Sequence, residues 1–521
     1  MPFSEVIFRI CFRSIYCVFA SSAFLALIFS VTTETKPSSY RPPKAGVAYK
    51  VDVHHEQARF DLVLEENSEY DLIVSCLGTF DRECRIVCSA QQIDVPILDS
   101  YSAIIPLDIK QRSPLGESLI LPGFTRHKEP TSQAVYFTKH PEGTSEKNFY
   151  LHVTEGDLSD PRQYACVKAV QVGEGKEVRV YLDAQEDSNS IANNLVEEIV
   201  RIIDDEIVPD SKSLYGQCRD SDADGKFTIL LSPWLDRLSG GKISIGGFVR
   251  SSDFMDWSYP PFGNRCDMMY LNSKLTPGKH LKALLAHEYA HAVAFGIRSQ
   301  NETPSEPLPA EEDWLSEAIA HLSENYHDAG WSNIDYRIET FLKNTSAYPL
   351  VVSDYYGSGM WRNHGCRGAT YLFLRWCVDR FGWSFLPRLM NSTSCGIDNV
   401  TICSGMKFEE LYRRWSLSLL KTAGEFHGSI DLDSRIGRYE LNGPKIDNWN
   451  ITQQSSRQIL LKQTTTTYLK ITTPNHAGCF RISLVAKPGA NLQVTILKRR
   501  SNANRVSSTK PAQKANKKNL R

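Results

Sequence analysis

The stretch LLAHEYAHAV, residues 284–293, sets His287 and His291 four positions apart, with Glu288 directly after the first histidine. On a helix that spacing stacks both imidazoles on one side, so two metal ligands converge without any bend in the backbone. A glutamate at the next position lies beside them, close enough to take a proton from a metal-bound water. With 13 histidines in the chain, a chance match to this pattern has a probability of about 0.02. The competing explanation is a pair of histidines that satisfy each other beside an apolar core, and a third ligand would separate the two.

DWLSEAIAHLSENY, residues 313–326, starts twenty-two positions after His291 and reads as a second helix. Trp314, Glu317, His321 and Glu324 share one face by their spacing, while Leu315, Ile319, Leu322 and Tyr326 share another. A carboxylate in so apolar a helix is costly unless a cation lies opposite. A zinc ion held by His287 and His291 would supply that cation.

HEYAH followed by WLSEAIAHLSE resembles the gluzincin metallopeptidases. With DADGKFTILL, MMYLN and FEELYRRW around them, residues 185–425 are most similar to the hyicolysin-type neutral metallopeptidases. The resemblance implies an α+β fold: a zincin-like catalytic domain with the HExxH helix and a second, glutamate-bearing helix. It also implies one catalytic zinc ion held by His287, His291 and Glu317, with Glu324 as a carboxylate that orients a ligand histidine. His321 is left as support or core. Ala318 stands where many relatives carry glycine, a departure that touches no ligand.

The implied activity is peptide-bond hydrolysis of protein or peptide substrates by zinc-bound water, with Glu288 as general base. A second donor is expected to answer the oxyanion. DYYGSGMWRNH, residues 354–364, offers Tyr355, Tyr356 and His364, of which Tyr356 is preferred. GGFVR, residues 246–250, is the expected edge strand for the substrate backbone. Two rivals keep the fold. One is a cell-surface binding protein with a vestigial zinc site, against which the intact His287, Glu288, His291 and Glu317 argue. The other is a zinc aminopeptidase, but no GxMEN-like signature precedes HEYAH.

A chain of 521 residues predicts two or three domains. Its net charge of -1 gives no reason to expect a nucleic-acid partner. Residues 1–31 carry Arg9, Arg13 and the apolar run 14–31, a secretory signal or an uncleaved anchor. A secreted or extracytoplasmic protein is expected, touching a membrane only if that segment stays. Period-2 alternation predicts a β-rich N-terminal domain at 45–184, which could also be a removable propeptide, and a C-terminal β-domain at 430–497. Residues 498–521 hold nine basic residues and no acidic one, a tail expected to be disordered.

Local signals complete the reading. A helix from near Ser188 should end before Pro209, and the HEYAH helix should open at Thr276 and Pro277 and close at Gly296. Cys76, Cys84 and Cys88, and Cys395 with Cys403, suggest disulfides in an oxidising compartment. Asp220, Asp222, Asp224 and Gly225 resemble the start of a calcium loop, but Leu231 stands where such a loop needs glutamate. A carboxylate-rich turn is therefore preferred to a bound Ca2+.

Overall fold

Three short runs, VRVYLD, FTILLS and MMYLN, form the centre of a mixed sheet in the computed structural model. Strands Val178–Asp183, Phe227–Ser232 and Met268–Asn272 lie side by side in parallel. They are apolar almost throughout because both faces are covered. Val180, Leu182, Ile229, Leu231, Met269 and Leu271 face a layer of helices; Tyr181, Leu230, Met268 and Tyr270 pack the opposite face with Phe149 and Leu151. Antiparallel strands extend the sheet, Tyr164–Glu174 and Glu146–His152 on one flank and the two-residue Gly247–Phe248 on the other.

The structure describes residues 40–499 except 66–67, 79–82, 105–134, 137–144, 155–157, 187–190, 242–243, 302–307, 328–332, 356, 361–362, 421–434, 437–438, 441–442 and 473–476. The expected signal or anchor and most of the basic tail lie outside these residues. Among them no helix is long and apolar enough to cross a membrane. The architecture is α+β, as expected.

The two β-domains expected at the chain ends are instead one sandwich. Its first sheet runs Ile446–Asn450, Thr465–Thr472, Tyr70–Cys76, Leu492–Lys498, Ala48–Val51, Tyr101–Ala103. Its second runs Gln454–Leu461, Cys84–Ile93, Gly478–Ala486, Gln57–Leu64, Val53–His54. Strands from both ends alternate because neither set covers an apolar face alone: Phe60, Leu62 and Ile86 share one core with Ile471, Ile482, Val494 and Ile496. Strands between 146 and 183, assigned from sequence to the N-terminal domain, belong to the other sheet. Helix Phe408–Ser418 joins the two halves. Tyr412 Oη donates to the Thr464 carbonyl at 2.8 Å, and Arg413 Nη1 to the Val494 carbonyl at 2.9 Å.

Other expectations are corrected for physical reasons. The helix beginning at Leu195 continues through Pro209 to Leu214, because a π-helical turn at Ile203–Ile207 intervenes. There the Val208 amide reaches back five residues to the Ile203 carbonyl, in register with a proline that has no N–H to offer. The HEYAH helix runs Lys279–Asn301, past Gly296. Among the described residues every cysteine is a free thiol. Cys395 and Cys403 are separated by the helix Gly396–Ser404, about 12 Å at its rise, too far to bridge. Cys84 and Cys88 lie on one strand and do not face each other across a gap a bridge could span. The Cys76 thiol lies beside that of Cys84 and donates to the Ala490 carbonyl at 3.0 Å, so Cys76 and Cys84 are placed as neighbours though unbonded. Lys498 ends a strand and Arg499 is paired with Asp71, so the first residues assigned to the tail are ordered.

Candidate metal centre

Helices Lys279–Asn301 and Asp313–Tyr326 pack face to face through apolar residues such as Ala286, Ala290, Ala318 and Leu322. Small alanines let the polar groups between the two backbones meet. His287 Nε2 lies 3.3 Å from His291 Nε2 and 3.4 Å from Glu317 Oε2. Two nitrogens and a carboxylate oxygen thus converge on one point.

The far side of each ring is fixed. His287 Nδ1 is 2.8 Å from Glu324 Oε1, and His291 Nδ1 is 3.1 Å from Ser316 Oγ. Glu324, as a carboxylate, only accepts, so His287 carries a proton on Nδ1; loss of the Nε2 proton to a bound metal would leave that nitrogen's lone pair at the convergence point. Glu324 is fully buried and also accepts from His321 Nδ1 at 2.8 Å and Asn333 Nδ2 at 3.0 Å. Arg367 Nη1 donates to Glu317 Oε2 at 2.7 Å, and Arg337 Nη1 to His321 Nε2 at 3.2 Å.

Charge is crowded here. Burial pushes the Glu288 carboxyl up to about 7. Burial alone would lower His287, but hydrogen bonds to Glu317 and Glu324 override it and raise the ring to about 10. Burial, then the adjacent His287, hold His291 down near 3. Glu317 is kept well below the usual carboxylate range despite burial, by Arg367 and His287. One positive ring therefore serves two carboxylates. A divalent cation among the three donors would take over that role, and a set of two imidazoles and one carboxylate fits zinc.

A cleft of about 570 Å³ opens over these groups, with Gly246, Gly247 and Phe248 on one wall and His364 and Arg367 among the others. The paired glycines have a steric cause. A Cβ at Gly247 would meet the Tyr270 carbonyl oxygen at 2.9 Å, and one at Gly246 would meet Leu284 Cδ2 at 3.1 Å. Gly247–Phe248 is the sheet's edge strand and lies against the HEYAH helix, shorter than the strand expected over 246–250 and followed by a turn at Ser251–Phe254.

Of the residues singled out from sequence, the structure brings His287, Glu288, His291, Glu317, His321 and Glu324 to one cleft, with His364 on its wall. Tyr355 is buried, and Tyr356 lies outside the described residues. Ser316, Asn333, Arg337 and Arg367 were missed. Arg367 left one faint signal: a cation near the start of helix His364–Phe381 opposes the helix dipole, so another partner must hold it. The acidic turn closes on itself. Asp220 accepts the amides of Asp224 and Gly225, Asp222 meets Lys147 at 2.9 Å, and Asp224 pairs with Arg179, although Asp220, Asp222 and Asp267 do group their carboxylates.

A stretch of 180 residues is 28% identical to the neutral metalloprotease ShpI of Staphylococcus hyicus. Part of this chain is related to a metalloprotease. The match covers 33% of this chain and 38% of that protein, well under half of the relative's length. No family model matches the sequence. A metalloprotease relationship and a cluster of histidine and glutamate donors able to hold a metal therefore rest on separate observations.

Proposed function

We propose that the protein is a secreted zinc-dependent endopeptidase. The observation that carries this reading is the convergence of His287, His291 and Glu317 beside the buried Glu288, in a cleft walled by an edge strand. His287, His291 and Glu317 would hold the ion. When bound, zinc supplies a Lewis acid that polarises a carbonyl and lowers the pKa of water to about 7.

The chain's own groups do the rest. Glu288 would take a proton from the attacking water and return it to the leaving amine, and burial raises its carboxyl in the direction that helps it give the proton back. Glu324 holds His287 in the tautomer and orientation that metal binding needs. Gly247–Phe248 offers main-chain groups to an extended peptide. Tyr356 remains the proposed donor to the developing oxyanion.

The test is to purify the full-length protein, measure bound zinc, and assay a mixture of unfolded proteins beside Glu288→Ala. One equivalent of zinc, and internal cleavage that falls about 10²- to 10⁴-fold in the variant, is expected. Zinc at one equivalent with no Glu288-dependent cleavage would sink the peptidase reading and favour a binding protein. Release of N-terminal residues alone would move the assignment to an aminopeptidase.

A further inference from the structure

Arg337 lies on helix Asp335–Lys343 and lines the cleft. Three neighbours fix its guanidinium: Nε donates to Tyr336 Oη at 3.1 Å, Nη2 to Asn333 Oδ1 at 3.1 Å, and Nη1 to His321 Nε2 at 3.2 Å. None of these partners is an anion. Of the cleft's four acids, three are engaged elsewhere, Glu317 with Arg367 and His287, Glu324 with His287, His321 and Asn333, and Asp313 with the Tyr355 amide, and the fourth, the general-base candidate Glu288, forms no ion pair with Arg337. Arg250, Arg367 and Arg375, also part-buried, each have a carboxylate partner, while the more deeply buried Arg413 is held by the Val494 carbonyl and the Thr495 hydroxyl. Among the described residues Arg337 has none.

A guanidinium held rigid and partly withdrawn from water, without a counter-ion, is costly for the free protein and well suited to receive an anion. Its position says where that anion would sit. Arg337 touches His321 Nε2, which lies 3.8 Å from Glu317 Oε2, so the cation is two contacts from the candidate ligand set. With three of five N–H donors used, two remain for a ligand. Peptides carry one kind of anion.

We propose that Arg337 selects substrates by binding a carboxylate close to the scissile bond, either an Asp or Glu side chain or a free C-terminus. This rests on the peptidase reading and names its substrate class. Arg337 is a specificity residue; it neither holds the metal nor moves a proton.

Two pairs of quenched-fluorescence peptides test it, one pair differing by Glu or Gln beside the scissile bond, the other by a C-terminal acid or amide. Each is assayed with wild type, Arg337→Gln and Arg337→Lys. Wild type should favour the carboxylate member of one pair by about tenfold or more in kcat/KM. The ratio should fall to near one in Arg337→Gln and return in part in Arg337→Lys. The responding pair identifies the side chain or the terminus as the source.

Because the readout is a ratio within each variant, a general loss of activity through His321 cancels. No preference in wild type, or a preference that survives Arg337→Gln, overturns the proposal. Calorimetric binding of the same peptides to zinc-loaded Glu288→Gln gives the answer without turnover: equal affinity for both members of both pairs overturns the carboxylate site, whereas failure of all Glu288-dependent cleavage overturns only the peptidase reading.

Discussion

Glu324 makes no contact with the convergence point, yet it sets the geometry of a residue that does. Its Oε1 faces Nδ1 of both His287 and His321 at 2.8 Å. Glu324→Gln keeps the shape but removes the charge and leaves an amide that also donates. Zinc affinity should drop about 10- to 100-fold, which competition with a chromogenic chelator measures, and the apoprotein should also lose stability, because the buried His287 ring loses one of its two carboxylate partners. Asp267 also shows charge acting on stability. Burial, helped by the Asp222 and Asp220 carboxylates and opposed by the Ser221 amide, pushes its carboxyl up to about 8. In the unfolded chain the group titrates near its ordinary value of about 3.9. Between these limits the folded form keeps a proton that the unfolded form releases. Stability from this group is thus fully present below about pH 4 and lost as pH rises toward 8, by at most about 1.4 kcal/mol per unit. Urea midpoints at pH 5 and pH 8 should fall more steeply for wild type than for Asp267→Asn; parallel slopes would refute the assignment.

The HEYAH helix passes close to the backbone of Arg219 at Gly296. A Cβ on Gly296 would meet the backbone nitrogen of Arg219 at 2.9 Å. Replacing a mid-helix glycine by alanine ordinarily gains about 1 kcal/mol, but overpacking against backbone costs about 1–3 kcal/mol, and the clash should win. Gly296→Ala is expected to lower the urea midpoint, whereas Gly278→Ala, where the space is open, probes a glycine whose left-handed backbone alone opposes substitution. The same glycine shows where sequence stops informing. Position 296 looks like a terminator because Gly ends helices more often than it crosses them, and nothing near it in sequence names Arg219. By contrast His287, His291, Glu317 and Glu324 were legible because their alignment follows from helical period within two short segments. Asn333, Arg337 and Arg367 reach the same cleft from separate elements, whose approach is decided by tertiary packing. Gly247–Phe248 was placed correctly but drawn too long, since strand propensity cannot show where the sheet has a partner to offer.

The chain closes on itself through the sandwich, and this fixes what can be removed. Strand Gly478–Ala486 has Cys84–Ile93 on one side and Gln57–Leu64 on the other, so both its neighbours come from the N-terminal end. Tyr70–Cys76 is the reverse case, flanked by Thr465–Thr472 and Leu492–Lys498. Loss of residues 40–104 would leave Gly478–Ala486 with two open edges, an apolar face without cover and a ready site for aggregation. Excision of this region as a propeptide would therefore dismantle the support on which helix Phe408–Ser418 rests. Expressed as two pieces divided after Ile104, the N-terminal fragment should show no cooperative unfolding alone. Co-expressed with the remainder, it should co-purify through size exclusion and separate only in denaturant, because the sheet hydrogen bonds and shared core do not need a continuous chain. An N-terminal fragment that unfolds cooperatively by itself, or a remainder that stays soluble and keeps its zinc without it, would show two independent β-domains after all. The same experiment separates the sandwich from the metal centre: if pairing restores solubility but zinc binds only to the rejoined complex, the sandwich stabilises the helices that carry His287 and Glu317 as well as its own strands.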